Sequence, residues 1–145
     1  MGFPVYAGAT VQEALSAWWA AQTALQAQVA DGKLWHVEAP ETTDLPYLTY
    51  FAVSEPEGPR STAYYMLEPT IQISAHASTD SAAAVLRNAV RDAIQSAVLQ
   101  VGPNTAWYCL PGGQQLTIGE GRGPNGSDCW MATVDVDIPF QKNIS

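Results

Sequence analysis

Two histidines, His36 and His76, and two cysteines, Cys109 and Cys129, are the side chains best suited to nucleophilic or acid–base chemistry. A catalytic thiolate needs a base within hydrogen-bond reach, which a cysteine–histidine pair can supply. No local signature surrounds either cysteine, and both histidines fall in or beside strand-like segments, so the plainer reading of all four is structural. Two cysteines are too few for a disulfide scaffold. They could pair across neighbouring strands, but in a reducing compartment free, partly buried thiols are expected. A metal centre wants several ligands at close spacing. Asp135 and Asp137 share one strand face and could hold a cation, but no second ligand cluster accompanies them, so neither a metal nor another cofactor is expected. Gly119-x-Gly121-x-Gly123 has the look of a phosphate cradle, yet Pro124-Asn125-Gly126-Ser127 follows where a helix would have to open. Without a helix N-terminus the loop lacks the dipole and the amides that bind an anion. The chemistry points away from catalysis.

Composition agrees with an assembly role. The 145 residues are enough for one domain with a real core, and 47% of them are hydrophobic, too many for a disordered chain. Only 14% are charged, against roughly 25% in an ordinary soluble domain, which suggests surface hidden in partners. The formal charge of −8 argues against wrapping nucleic acid through phosphate neutralisation, but not against a passage through which DNA moves without sticking. No apolar run approaches the roughly 18 residues of a membrane span, and Met1 to Ala9 lacks the pattern of a signal peptide.

The elements follow from periodicity and punctuation. Met1 to Ala9 reads as an apolar arm. Thr10 caps a helix, with Glu13 placed for a capping box, and Val11, Leu15, Trp18, Leu25 and Val29 form its apolar face up to Asp31-Gly32. Gln22 interrupts that face, and Trp18 and Trp19 cannot both stand at its centre. Leu34 to Val37 reads as a short strand and Tyr47 to Val53 as a longer one, rich in aromatic and β-branched residues. Glu55 to Arg60, with two prolines and a glycine, reads as a turn. A strand region from Ala63 to His76 should break at Glu68-Pro69, with Ile71, Ile73 and Ala75 facing one way and Gln72, Ser74 and His76 the other. Ser78-Thr79-Asp80 caps a second helix, expected from Ser81 to about Leu99, on the stripe Leu86, Val90, Ile94 and Ala97. Gly102-Pro103 ends it. Thr105 to Leu110 and Gln114 to Ile118 read as a hairpin around Pro111-Gly112-Gly113, and Gly119 to Asp128 as a flexible loop. The last strand, Cys129 to Phe140, alternates between Trp130, Ala132, Val134, Val136 and Ile138 on one side and Met131, Thr133, Asp135 and Asp137 on the other. The fold class is α+β: an antiparallel or mixed sheet with two amphipathic helices on one face, forming a single domain over 1–145 with the arm at 1–9.

Leu45-Pro46-Tyr47-Leu48-Thr49-Tyr50, after an N-terminal helix and an acidic loop, resembles the corresponding strand of phage tail-terminator and tail-completion proteins. Pro69 to His76 running into the helix from Ser78 to Ile94 resembles the later strand and helix of that family, so the likeness spans roughly residues 10–98. The stretch Trp107 to Asp128 is longer than the family pattern. The resemblance implies a virion protein, made in the host cytoplasm, that forms a homo-oligomeric ring, usually of six subunits, on the head-proximal end of the tail tube. There it stops tube growth and meets the head–tail connector, while DNA passes through without sequence-specific binding. A connector-side neck ring is the alternative, and a small Cys/His enzyme a more distant one. Phe3, Val5, Tyr6, Glu55, Glu57, Arg60, Arg122 and Asn125 are the contact candidates, and Asp135 and Asp137 the candidates for the channel wall.

Overall fold

The structure, a computed structural model, describes residues 5–30, 32–37, 39, 44–54, 57–60, 64–67, 69–95, 97–102, 105–106, 109–114, 118–122 and 128–143. Of these, 53–54, 57–60, 64–67, 105–106, 110–114, 118–122, 128 and 140–143 are described by their backbone alone.

Helix α1 (Val11–Ala21) starts where Thr10 Oγ1 accepts the Glu13 N–H at 3.1 Å, while the Glu13 carboxylate accepts the Ala9 N–H at 2.8 Å. The first bond satisfies a donor that a bare helix end would leave orphaned, and the second ties the residue before the cap to the first turn. The helix buries Ala14, Leu15, Trp18 and Trp19. It does not run on to Gly32 as expected. It breaks at Gln22, and a single turn, α2 (Thr23–Gln26), carries Leu25 into the core. An unbroken helix would have set Gln22 on the same face as Leu15 and Trp18, and a buried amide without partners is costly. Trp19 takes the margin of the core, its indole Nε1 donating to the Gly32 carbonyl at 3.1 Å.

Helix α3 (Asp80–Ile94) is capped by Thr79, whose hydroxyl accepts the Ala82 N–H at 3.1 Å, and buries Ala83, Leu86, Val90 and Ile94. It ends five residues earlier than the apolar stripe suggests. Val98–Val101 is a strand, β7, running parallel to β1 (Val5–Gly8), so part of the expected arm is built into the body. β-branched Val98 and Val101 suit that ladder, and Gly102 closes it by donating its N–H to the Gly8 carbonyl at 2.8 Å.

The other strands are β2 (Leu34–His36), β3 (Tyr47–Ser54), β4 (Glu57–Arg60), β5 (Tyr64–Leu67), β6 (Thr70–Ala77), β8 (Thr105–Ala106), β9 (Leu110–Gln114), β10 (Ile118–Arg122), β11 (Asp128–Asp137) and β12 (Phe140–Asn143). They divide over three sheets, where the sequence suggested one. A central sheet runs β10-β11-β6-β3-β2, with β9 also on β11; a second runs β4-β5-β12-β8; the third is β1-β7. The ladders are mixed, β2–β3 and β1–β7 being parallel, and the fold is α+β.

Four local expectations are corrected. Glu57–Arg60 is a strand and not a turn. It lies on an edge, where Pro59 lacks an N–H without breaking an inner ladder. Pro111-Gly112-Gly113 is part of strand β9 against β11, through a register shift, so it is no hairpin turn. Gly119 to Arg122 is likewise strand, in β10, and the last strand divides in two at Ile138-Pro139.

Register confirms the alternation. Leu48, Tyr50, Ile71, Ile73, Ala75, Val134 and Val136 face the helix layer and share one core with Leu15, Trp18, Leu86, Val90 and Ile94. Trp18 Nε1 donates to the Ala93 carbonyl at 3.4 Å, joining the two long helices. The opposite face is polar in sequence, yet Thr49, Ser74, His76 and Thr133 are buried as well. Trp35, Tyr47 and Met131 stand at adjoining register positions on that face, and the Tyr47 ring stacks on His76.

Candidate interaction surfaces

The four side chains with catalytic potential do not make a site. His36, on β2, is exposed, its ring centroid 5.0 Å from that of Tyr50. His76, on β6, is stacked on Tyr47 at 4.5 Å and has Nε2 2.9 Å from Thr49 Oγ1. Their register partners put the two rings on opposite faces of the central sheet. Cys109 lies in the core, and its N–H donates to the Ala97 carbonyl at 2.7 Å. Burial pushes its thiol up to about 12, against a smaller opposing effect from a hydrogen bond with the Leu99 backbone. It is a thiol at neutral pH and therefore a poor nucleophile. Cys129 stands on the face of His76, two residues along β11 from His76's partner Met131. Neither cysteine is in a disulfide, and at 1% and 2% exposure neither sulfur offers a substrate an approach. Among the described residues no three His, Cys, Asp or Glu side chains gather as metal ligands, and no helix is long and apolar enough to cross a membrane.

The acidic row is held by neutral neighbours. Thr70 Oγ1 donates to Asp137 Oδ1 at 2.7 Å, and Gln72 Nε2 donates to Asp135 Oδ1 at 3.2 Å. Both pairs follow the β6–β11 register. These bonds fix the carboxylates without cancelling their charge. Asp137 is exposed and Asp135 half-buried, on the face turned away from the helices.

A cleft opens on the helix-side surface. It is lined by apolar Val11, Ala52, Pro69 and Ile71 and by polar Thr10, Gln12, His36 and Tyr50, around a volume of about 250 Å³. Tyr50 is held above its usual pKa by burial, partly opposed by a hydrogen bond with the Gln12 side chain. The cleft opens where β2 stops. Val37 follows His36 with φ of 71°, its N–H still donating to the Tyr50 carbonyl at 2.8 Å. A left-handed backbone is unusual for a β-branched residue and turns the chain off the sheet. β3 continues to Ser54, and among the described residues nothing pairs with it on that side beyond Tyr50. Periodicity could not reveal this cleft, because four separate segments line it.

The contact candidates scatter over three sheets. Val5 is 60% exposed on β1, while Tyr6 packs against the core. Glu57 and Arg60 lie on β4 and Arg122 on β10, each an outermost strand. Phe3, Glu55 and Asn125 fall outside the described residues. Trp18 and Trp19 are core, Trp35 and Trp130 are half-buried, and Trp107 is outside the description.

A family model described as tail completion protein gp17 matches residues 13–134. No curated protein matches the chain. The family match takes in α1, the central sheet and α3, most of the length, and the chain belongs to that family of structural phage tail proteins.

Proposed function

We propose that this tail completion protein closes with copies of itself into a ring, of six subunits by its family likeness, on the head-proximal end of the tail tube. The ring ends tube growth and offers a surface to the head–tail connector. Such a ring needs a contact joining two different surfaces of the same chain, repeated until it closes. The observation that supports this reading is the set of strand edges on a tail completion family member: among the described residues β4 and β10 are outermost strands and the far end of β3 is paired on one side only, so each can pair with backbone of another chain. The contact candidates Glu57, Arg60 and Arg122 sit on two of those edges. Phe3, Val5, Tyr6, Glu55 and Asn125 complete the proposed contact set. Asp135 and Asp137 face the channel in this arrangement, where negative charge repels phosphate and keeps transiting DNA from sticking. The whole of 1–145 acts as one domain, made in the host cytoplasm and incorporated into the virion.

Sedimentation of the purified protein at rising concentration, together with its detection on isolated tails, tests the ring. A strict monomer that is also missing from tails is incompatible with it. Cross-linking in particles separates the two positions open to such a ring: links to tube protein support tube capping, and links to connector protein alone move the ring to the neck.

A further inference from the structure

We propose that the outer face of helix α3, at Val85 and Asp92, seats on the β2 end of a second copy of this chain, at Val37, Phe51 and Lys33. The proposal rests on the ring reading and names a contact that closes it. Val85 is 65% exposed, Val37 59% and Phe51 38%, so each leaves apolar surface in water. Val37 and Phe51 are neighbours. The Val37 N–H donates to the Tyr50 carbonyl, one step past the His36–Tyr50 pair of the β2–β3 ladder, which sets Val37 beside Phe51. Val37 also holds a left-handed backbone, with φ of 71°, that a β-branched residue resists. Exposed in that conformation, the side chain buries little in the isolated chain. A partner seated on it gives the valine something to pack against.

Charge fits the same pairing. Lys33 is exposed, with Nζ 5.2 Å from the Trp35 ring centroid. It precedes Val37 by four residues, about 13 Å along an extended chain. Asp92 follows Val85 by seven residues, about 10.5 Å along the same face of α3. With Val85 on Val37, the length of the lysine side chain covers the difference and brings its ammonium to the Asp92 carboxylate. That carboxylate lies 3.2 Å from the Arg91 guanidinium, yet the Asp92 side chain is 67% exposed and can accept from a second cation. The two surfaces cannot meet within one chain. α3 lies against β6 and β11 with Leu86 and Val90 inward, so the helix itself, about 10 Å thick, stands between Val85 and the sheet. β2 lies beyond β3 from β6, further off still. Two different surfaces that can join only between copies are what a head-to-tail ring contact requires.

The test is the double variant V37C/V85C, oxidised mildly after assembly. A disulfide needs Cα atoms within roughly 7 Å, out of reach inside one chain, and the natural cysteines are too buried to compete. The expected result is a ladder of covalent multimers on non-reducing gels, absent from V37C alone and from V85C alone. K33D and D92K should each weaken self-association by roughly 3- to 10-fold, since each turns an attraction into a repulsion, and the two together should restore most of it. Rings that form with the double cysteine variant unlinked overturn this contact and leave the ring standing. So does a thiol-anchored photo-crosslinker on V37C that, fired in particles, labels tube or connector protein and no α3 peptide. Protein that never associates, alone or on tails, removes the ring and this contact with it.

Discussion

Thr49 Oγ1 and His76 Nε2 lie 2.9 Å apart across β3 and β6, with the Tyr47 ring stacked on the imidazole at 4.5 Å. Both partners are buried on the sheet face away from the helices. The histidine is thus a structural strut, and His76→Ala leaves the Thr49 hydroxyl without this partner while removing the stack. The expected loss is about 2–4 kcal/mol, combining an orphaned buried hydroxyl with a lost aromatic contact. Urea denaturation measures it. A stable variant that nonetheless lost a chemical activity would show that the histidine has catalytic work to do.

Thr133 should behave in the opposite way. Among the described residues its hydroxyl is buried without a hydrogen-bond partner, as is Trp35 Nε1, and both belong to one cross-strand row, Trp35–Thr49–Ser74–Thr133. Thr133→Val keeps the shape and removes the orphan, so stability should hold or rise by about 1 kcal/mol. A drop of similar size in thermal or urea unfolding would mean that the hydroxyl has a partner in solution.

The alkaline limb of stability should depend on Cys109. Burial moves its pKa from 9.0 to about 12, so above pH 9 the unfolded chain releases a proton that the folded chain keeps. The stability carried by this group is complete below pH 9 and is lost as pH rises towards 12, at no more than about 1.4 kcal/mol per pH unit. Tyr50, also raised by burial, adds a loss of the same sign. Cys109→Ala should lower stability at neutral pH by leaving a small cavity, yet flatten the decline between pH 9 and 11. Parallel curves for the two proteins would refute the assignment.

Sequence spacing revealed the elements whose signals are local. Thr79 with Leu86, Val90 and Ile94 announced α3, and the alternation around Ile71 and Ile73 announced β6. The end of α3 was not legible, because Ala97 to Val101 is apolar enough to continue a helix. What makes Val98–Val101 a strand is β1, more than ninety residues earlier. Pro111-Gly112-Gly113 misled for the same reason: its local chemistry is that of a turn, and pairing with β11 overrides it. The acidic row could be read from one strand, whereas the cleft needed Thr10, His36, Tyr50 and Pro69 brought together from four segments.

The acidic row yields the sharpest functional test. Asp135 and Asp137 accept hydrogen bonds from Gln72 and Thr70 at the strand surface, so replacing them disturbs little of the core. In the proposed ring their charge matters to what passes, and charge and hydrogen bonding can be separated. Asp135→Asn with Asp137→Asn keeps acceptors for both neighbours and only weakens the repulsion, so particles should assemble and release DNA at nearly the normal rate. Lysine at both positions puts cations on the channel wall. Phosphates then pause there, and DNA release measured by dye uptake from triggered particles should slow. Because each phosphate contact displaces counterions, added salt should restore much of the speed. Lysine particles that assemble normally and release DNA at the normal rate at every salt concentration would place these carboxylates away from the channel.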